Sequence, residues 1–567
     1  MLASARSIRD RLGLSGVAGP AVWLLLLTVA ACLVRTGGLP TAQGTMGRDE
    51  ARLALAAKGI LRTGLPYLPD GFLYTRGLLP AYLDAATFTL FGSSDQAARL
   101  SDVVFSSLLG IAVYRLGRLA GGHRPAIAAA IVVAFSPPLV LASREAWLYS
   151  TFLFWLTMSL GWLVRDAPGD RLKAGLAALA ALFSHELAVL LVPVALVLDV
   201  GRAWTAHRHN HRARSASRWE RGHPGRFVQS TPAETDDSPL DAASPLAPRP
   251  SQLTTRNSQL AIRPVVLFWL LLLGGVAAVG GLSLLLRAPT LGGSTVEFRE
   301  YLRPSLDLAG LATSFSILGS WHPWLLPAAV LGVPLSWASV RSLLAGRGIM
   351  PSLLMLLAII AFNSFGLVRR GESRYLLAAI PFLAIVAMVS LDRVGPSVLA
   401  VLAGRRSRGE YRRLAQFVLV MLLVAASLDP VRLIADAQSH NVRSTWVQAL
   451  ADRKPADLVV SFAPTLTSHY LGRTDFWVRP DGYVKYVWAN RTPLRDVHTG
   501  AVVLRSQADV ERLLLAPYRG RTAWVVLATD PATESSRAMR ELGQYLASLA
   551  AETRRPPDGR VVLRLQL

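Results

Sequence analysis

The sequence contains a single cysteine, Cys32, among its 567 residues. No intramolecular disulfide can therefore form, and any part outside the cytoplasm must fold without one, which favours a bacterial chain over a eukaryotic secreted one. Charged residues are also scarce, at 17%, whereas soluble chains have about 25%. The sequence has neither a glycine-rich phosphate loop nor a GxGxxG motif after a predicted strand, and it has no internal repeat. A nucleotide-sugar or ATP substrate is therefore not indicated.

Hydrophobic residues are abundant instead, at 52%, and arginine-rich connectors separate the long apolar runs. This pattern predicts a protein that crosses the membrane several times. The net charge of +23 lies mostly in the connectors, where the positive-inside rule places basic residues, so we do not interpret it as a nucleic-acid site. Arg6, Arg9 and Arg11 precede the first apolar run, which we expect to remain an uncleaved helix despite the lipoprotein-like "VAAC" at residues 29–32.

Apolar runs bounded by charge, proline or glycine predict about eleven spanning helices. They cover approximately residues 18–35, 96–118, 125–141, 148–164, 173–184, 187–203, 263–286, 322–342, 350–367, 375–391 and 414–428. With the N-terminus in the cytoplasm, the basic connectors fall on the cytoplasmic side and the C-terminus lies outside. We therefore expect a multi-pass protein of the bacterial inner (plasma) membrane.

The chain divides by composition into a transmembrane part, residues 1–430, and a C-terminal part, residues 431–567. Segment 203–262 is rich in Arg, Pro, Ser and His and poor in apolar residues, which predicts a disordered cytoplasmic linker. After residue 430, short apolar runs such as "DLVVSF" and "TAWVVLAT" alternate with helix-like stretches at 507–516 and 534–552. The predicted fold class is thus an α-helical polytopic membrane protein with an extracytoplasmic α/β domain of about 130 residues.

The first outer loop, residues 36–95, opens with "RDEARLALAAKGILRT" at 48–63. As a helix, this stretch places Leu53, Ala56 and Ile60 on one apolar stripe, which predicts an amphipathic helix lying on the membrane surface. Asp49 falls near the edge of that stripe, so we expect it to face protein or lipid. Two interpretations of Asp49 and Glu50 remain open: they cap the helix and complement its dipole, or they do chemistry.

A family resemblance follows from the order of motifs around this loop. The loop contains, in this order, an acidic pair, an amphipathic helix, an aromatic-basic turn and a second amphipathic helix that ends in "LFG". The sequence "AARL" follows and opens a span. "FSPPLVLASREAWLYSTFLFWL" and "RRGESRYLLAAIPFLAIVA" follow later. Over residues 20–395 the chain resembles the membrane-embedded glycosyltransferases of the GT-C class, especially the protein O-mannosyltransferase and lipid A aminoarabinose transferase group (glycosyltransferase families 39 and 83).

The resemblance implies a sugar donor carried on a polyprenyl phosphate and a catalytic base in the first outer loop, which maps onto Asp49 with Glu50 beside it. Displacement at an anomeric carbon needs a base for the acceptor hydroxyl and cations for the departing phosphate. The resemblance implies Arg374 with Tyr375 as a phosphate contact. Further phosphate candidates, chosen by charge and predicted sidedness, are Arg52, Arg76, Arg369 and Arg370.

The outer position of Arg369, Arg370 and Arg374 is not explained by the positive-inside rule. Their other interpretation is a solvated cluster near Glu372, or one that binds anionic lipid headgroups. Arg76 stands where the aminoarabinose transferases have a lysine, but Thr75 replaces the glutamate of their Glu-Lys-Pro-Pro turn and both prolines are missing. A divalent metal is therefore not required by the sequence, although the resemblance allows one.

Five other polar residues are candidates for the border of a cavity at the outer face: Arg144, Glu145, His185, Glu186 and His322. Arg144 and Glu145 equally fit an interfacial ion pair, and an interfacial histidine among tryptophans equally fits a membrane anchor.

Three function classes are compatible with these features. The first is an inverting glycosyltransferase that moves a sugar from a polyprenyl phosphate to an extracytoplasmic protein, lipid or envelope glycan. The second is a flippase of lipid-linked sugars, which would be expected to show paired repeats and charges near the bilayer midplane. The third is a non-enzymatic receptor or assembly factor that uses its outer domain. The partners expected of the first class are the lipid-linked donor, the acceptor and the bilayer.

Overall fold

The computed structural model describes residues 18–37, 46–222, 265–278, 281, 290–291, 308–331, 349–366, 373–402, 449–480, 487–488, 491–527, 531, 536–556 and 560–567. A helix-rich part is followed by a C-terminal part built on a β-sheet. This agrees with the two kinds of structure predicted from the sequence.

The helical part contains fourteen α-helices in the described ranges, here numbered in chain order. They are α1 (Ala18–Thr36), α2 (Arg48–Thr63), α3 (Leu78–Phe91), α4 (Asp95–Gly121), α5 (His123–Phe135), α6 (Pro137–Ala142), α7 (Tyr149–Arg165), α8 (Asp170–Ser184), α9 (Leu191–Gly222), α10 (Val265–Ala278), α11 (Leu308–Trp321), α12 (Leu325–Leu331), α13 (Ile349–Ala361) and α14 (Ile380–Leu402). Short 3₁₀ turns at Glu186–Leu190 and Ser373–Ala379 lead into α9 and α14, and a π-turn at Phe362–Gly366 ends α13.

One apolar core holds the helical bundle together. It joins α4, α5, α7 and α8 to α13 and α14, and the side chains of α14 from Ile380 to Val389 are almost completely buried. Small residues allow close packing: a Cβ on Gly117 of α4 would lie 3.2 Å from the Cα of Ala126 in α5. Among the described residues, three helices are long and apolar enough to cross a membrane, at Asp95–Gly121, Glu186–Arg208 and Arg374–Arg393. The chain is therefore a multi-pass membrane protein, while the total of about eleven spans stays a prediction.

Several predicted boundaries differ from the structure. The region predicted to span at 322–342 begins with α12, and the preceding α11 was not predicted. The start of segment 203–262, expected to be disordered, is helical because α9 continues to Gly222. Composition misses this extension, since a helix that is already nucleated adds residues at little cost. Residues 223–262 and the span predicted at 414–428 lie outside the described residues.

Helix α2 forms as predicted, but both of its faces are packed against protein. Gly47 donates its backbone N–H to the Glu50 carboxylate at the N-terminus, and Gly64 ends the helix with a φ of 78°. Leu53 and Ala56 pack in one apolar cluster, and Ala51 packs in a second cluster. Helix α3 and the C-terminal domain both cover α2, and its position at the membrane surface stays a prediction.

The C-terminal part contains a mixed sheet of six strands. Its strand order is β5-β3-β2-β6-β8-β7, in which β5, β3, β2 and β6 are parallel and β8 and β7 are antiparallel. The strands are β2 (Leu458–Ser461), β3 (Phe476–Val478), β5 (Val502–Leu504), β6 (Thr522–Leu527), β7 (Ala550–Arg554) and β8 (Val561–Gln566), and β1 (Thr290–Leu291) pairs separately with β4 (Val487–Trp488). Strands β3 and β7 were missed, because the first is very short and the second, "AAETR", reads as the end of the preceding helix.

Two polar contacts join this sheet domain to the first outer loop. Asp95, at the start of α4, accepts hydrogen bonds from His469 Nε2 at 3.2 Å and from the Tyr470 hydroxyl at 2.9 Å. Asp70 accepts from Arg491 at 2.7 Å and also from the indole of Trp488. The loop that carries α2 is thus fixed from the side of the sheet domain as well as from the bundle.

Candidate active site

A cleft of about 360 Å³ lies where α2, the α6–α7 loop and the turns before α9 and α14 meet. The residues that line this cleft are far apart in the sequence, yet four of them are site candidates predicted from the sequence. The lining residues are Asp49, Tyr74, Arg76, Ala146, Trp147, Leu148, Tyr149, His185 and Arg374.

Asp49 is held between two arginines. Its Oδ1 lies 3.0 Å from Arg52 of the same helix, and its Oδ2 lies 3.1 Å from Arg374 at the start of the Ser373–Ala379 turn. The Asp49 side chain lines the cleft and faces other protein groups there, as expected, and 40% of it is exposed. Burial alone would raise its pKa, but Arg52, Arg76 and Arg374 together lower it. Asp49 is therefore ionised at neutral pH.

Arg76 provides the third cation of the cleft. It bonds Glu186 at 3.2 Å, and its positive charge acts on Asp49 as well. Gly77, which follows it, has a φ of 69°, and a Cβ there would come within 2.2 Å of Leu148. Only glycine fits at this turn, which holds the backbone after Arg76 against the α6–α7 loop.

His185 forms one wall of the cleft and is almost completely buried. Its Nδ1 accepts the N–H of Leu187, while no partner for Nε2 is present among the described residues. Burial lowers the His185 pKa to about 4; Glu186 opposes that shift, and Arg76 and Arg374 add to it. The imidazole is therefore neutral at physiological pH.

Aromatic rings surround this histidine. The rings of Tyr149 and Tyr375 lie 5.0 Å and 6.1 Å from the His185 ring, and the Arg374 guanidinium stacks 5.4 Å from the ring of Tyr375. Tyr375 thus supports Arg374 and His185 from behind the cleft and is not itself among the lining residues. The rings give the cleft an apolar base below its charged groups.

Glu50 faces away from the cleft and is only 2% exposed. Its carboxylate accepts the backbone N–H of Ala146 at 2.6 Å, bonds Arg99 at 3.3 Å and caps Gly47. These contacts join α2 to α4 and to the α6–α7 loop. The geometry therefore favours the capping interpretation of Glu50, which the sequence left open, over a place among the reacting groups.

Three further candidates also lie outside the cleft. Arg144 donates to the carbonyl groups of Val34 and Gly37 and so fixes the end of α1. The Glu145 carboxyl is mostly buried, and burial together with the negative charge of Glu50 raises its pKa to about 7, against the opposing charge of Arg99. His322 contacts the Ser136 hydroxyl at 2.9 Å, between α5 and α6. Arg369 and Arg370 lie outside the described residues.

The sequence did not single out the aromatic lining or the contribution of the sheet domain. Tyr74, Trp147 and Tyr149 were visible only as aromatic residues beside Arg76 and Glu145. Asp496 and His498, buried in the sheet domain, lie near enough for the charge of Arg52 to act on both of them. No local signal could have found that proximity, because more than 400 residues separate them from Arg52.

The described residues offer little to a metal ion. No group of three or more His, Cys, Asp or Glu side chains in those ranges is placed to hold one. Where the resembled family has a metal-binding glutamate, this chain has Thr75.

Comparison with known proteins supports the fold. Residues 75–215 match the family described as dolichyl-phosphate-mannose-protein mannosyltransferase. ArnT from Cupriavidus metallidurans, solved bound to undecaprenyl phosphate, is 15% identical with a TM-score of 0.55, over 97% of this chain and 98% of that one. The apo state of ArnT gives 16% identity and a TM-score of 0.53, over 96% and 98%. No curated protein matches the sequence.

The fold is thus that of a GT-C class membrane glycosyltransferase, and the resemblance predicted from the sequence is confirmed at this level. Within that class, this chain is similar to ArnT along nearly the whole length of both chains.

Proposed function

We propose that this protein is an inverting glycosyltransferase that moves a sugar from a polyprenyl-phosphate carrier to a hydroxyl acceptor outside the cytoplasm. The observation that carries the proposal is the Asp49 carboxylate, bound by Arg52 and Arg374 in a cleft that Arg76 also lines. One base and several cations are the groups that this displacement needs. The structure of ArnT, to which this chain is similar, contains bound undecaprenyl phosphate, and this supports the same carrier class here.

In the proposed reaction, the acceptor oxygen attacks the anomeric carbon from the face opposite the phosphate. Asp49 takes the hydroxyl proton as the new C–O bond forms, and the bond between the anomeric carbon and the phosphate oxygen breaks with its electron pair on the phosphate. A single displacement inverts the anomeric centre. The phosphate is a good leaving group, so no acid is needed to protonate it.

The arginines gain importance as the reaction proceeds. The donor phosphate is a diester with one negative charge, and the released polyprenyl monophosphate carries up to two. Arg374, Arg52 and Arg76 therefore interact more strongly with the product-like state than with the donor, which lowers the barrier. Arginine suits this role because its planar guanidinium donates two parallel hydrogen bonds to phosphate oxygens.

Donor binding would also change the base. In the present arrangement both oxygens of Asp49 are occupied by arginines. A phosphate that draws Arg374 and Arg52 toward itself would release the carboxylate and raise the Asp49 pKa toward its ordinary value. The Asp49 carboxylate would then be a stronger base while the donor is bound.

The remaining features of the proposal concern placement. We place the protein in the bacterial plasma membrane with about eleven spans, its N-terminus in the cytoplasm and its sheet domain outside. Residues 1–430 would form the catalytic membrane domain and residues 431–567 the outer domain, with a hexose or pentose as the transferred sugar. Acceptors of this class include protein, lipid and envelope glycan.

Purified protein in liposomes, supplied with labelled sugars on polyprenyl phosphate, tests the proposal directly. The proposal is supported if the wild type transfers the sugar with inversion at the anomeric carbon and if the Asp49→Asn variant loses this transfer. Movement of the donor across the bilayer without transfer would contradict it in favour of a flippase. An Asp49→Asn variant that transfers sugar at the wild-type rate would overturn the assignment of the base.

A further inference from the structure

A second cavity, with about 610 Å³ of empty space including its open mouth, lies between α4 and α7, far from the candidate active site. Arg99 of α4 contacts Glu50 near the cleft, and Arg115, which lines the cavity, lies about 24 Å further along the same helix. On α7, Tyr149 lines the cleft and Arg165 lines the cavity, again about 24 Å apart. The cavity therefore opens at the opposite end of the bundle.

Three arginines surround the mouth of this cavity. Arg115, Arg118 and Arg165 are exposed, and the charges of Arg118 and Arg165 act on Arg115. Asp170 bonds Arg165 at 2.6 Å, so it neutralises that arginine. Neither Arg115 nor Arg118 forms a salt bridge with a carboxylate of the described residues. The carboxylate of Asp170 also acts on Arg115, so one negative charge faces three positive ones, and the net positive charge at the mouth favours an anion.

The interior of the cavity is mostly apolar, and the hydroxyl-bearing side chains that line it are Thr157 and Tyr114, of which the Tyr114 hydroxyl bonds His123. Met158, Leu119 and Ala112 line it, and the Trp162 ring lies 5.5 Å from the Arg115 guanidinium. Thr157, about 12 Å deeper along α7 than Arg165, is completely buried, and its hydroxyl has no hydrogen-bond partner in the described ranges. A buried hydroxyl without a partner costs free energy, so an acceptor supplied by a ligand would stabilise it.

The positive-inside rule explains basic residues in the connectors but not a cavity that they surround. The cavity has a basic mouth with a tryptophan at its side, a mostly apolar interior, and a deep Thr157 hydroxyl without a partner in the described residues. These features match the parts of a glycerophospholipid. The phosphate would lie among the arginines, the acyl chains among the apolar side chains, and an ester carbonyl beside Thr157. A free phosphate ion would leave the interior unfilled.

We propose that the cavity between α4 and α7 binds the headgroup of an anionic phospholipid through Arg115 and Arg118, with the Thr157 hydroxyl donating to the glycerol-ester region. The site is independent of the sugar-transfer chemistry. It lies at the membrane face opposite the candidate active site.

Native mass spectrometry of the full-length protein in detergent tests this site. Phosphatidylglycerol, phosphatidylcholine and inorganic phosphate are each titrated, and the dissociation constant of the first bound molecule is measured. The double variant Arg115→Gln/Arg118→Gln should bind phosphatidylglycerol about thirtyfold more weakly, since each basic residue near a lipid surface contributes about fivefold. Thr157→Val, which preserves side-chain shape, should weaken binding about fivefold.

Arg124→Gln is the matched control, because Arg124 is exposed at the start of α5 and does not line the cavity. It should change binding less than twofold. An equal loss in this control would overturn the proposal by showing unspecific attraction of charge. Equal affinity for phosphatidylcholine and phosphatidylglycerol would overturn it too. Displacement of the lipid by inorganic phosphate, at a phosphate concentration equal to that at which the lipid binds, would also overturn it. Unchanged binding in a folded Thr157→Val protein would contradict the placement of the ester.

Discussion

Arg374 lies 3.1 Å from the Oδ2 of Asp49, although 325 residues separate the two in the chain. The contact joins the first outer loop to the turn that leads into α14. It places a carboxylate and a guanidinium together in the cleft, and an incoming phosphate can draw the guanidinium away from the carboxylate. The proposed chemistry and its tests depend on this pair.

Asp49→Asn should abolish most sugar transfer. The variant keeps the shape of the side chain but cannot accept a proton, and loss of a general base costs about 10²–10⁴ in rate. Donor binding should be retained, because removing the negative charge frees Arg52 and Arg374 for the phosphate. Steady-state transfer and donor binding, measured on the same preparation, separate the two effects. Loss of binding with an unchanged turnover would contradict the assignment.

Arg374→Gln should weaken donor use and also change the pH profile. Loss of a charge-assisted hydrogen bond to phosphate should raise the KM for the donor about tenfold to a hundredfold. The Asp49 pKa, which Arg374 lowers, should rise, so the acidic limb of kcat/KM should move to higher pH. Arg374→Lys keeps the charge and serves as the control, with a smaller shift of the limb. An unmoved acidic limb in Arg374→Gln would argue against Asp49 as the titrating base.

The outcome for the sequence predictions depends on how local each signal was. The helix at 48–63 was predictable because its cap, its apolar period and its terminal glycine lie within one segment. Its burial on both faces was not predictable, since the sheet domain that covers it, through contacts such as Lys58 with His469, comes some 400 residues later. The sequence offered four candidates by sidedness and motif order that the structure brings into one cleft, Asp49, Arg76, His185 and Arg374, and their roles stay predictions. Three other candidates have the same predicted sidedness but lie outside the cleft because of their contacts: Arg144, Glu145 and His322.

A substitution of Glu50 tests whether this residue stabilises the fold or takes part in the reaction. Glu50→Ala leaves the buried Arg99 without its carboxylate, which should lower the free energy of unfolding by about 3–5 kcal/mol. A second change, Arg99→Leu in the same protein, should restore part of that loss. Thermal unfolding in detergent measures both. A Glu50→Ala protein with wild-type thermal stability but no transfer would instead place Glu50 in the reaction.

Asp95 should control how firmly the sheet domain holds the first outer loop. Asp95→Asn weakens the contacts to His469 and Tyr470, at a cost of about 1–3 kcal/mol in local stability. Hydrogen exchange should therefore increase in Pro464–Leu471 and at the start of α2. Glu541→Gln, which removes an exposed ion pair with Arg537, is the control and should leave exchange in both segments unchanged. Equal protection in Asp95→Asn would show that apolar packing alone holds the contact.

Glu145 should make stability fall as the pH rises. Its pKa is raised to about 7 in the folded protein, from an ordinary 4.5, by burial and by the charge of Glu50. A raised carboxyl pKa means that the folded state binds the proton more tightly than the unfolded chain. Its contribution is therefore complete below about pH 4.5 and is lost as the pH rises through 7. The shift corresponds to at most about 3–4 kcal/mol. The apparent Tm should decrease between pH 5 and 8, and Glu145→Gln, which cannot ionise, should flatten that decrease. A glutamine variant that retains the full slope would assign the pH dependence to another group.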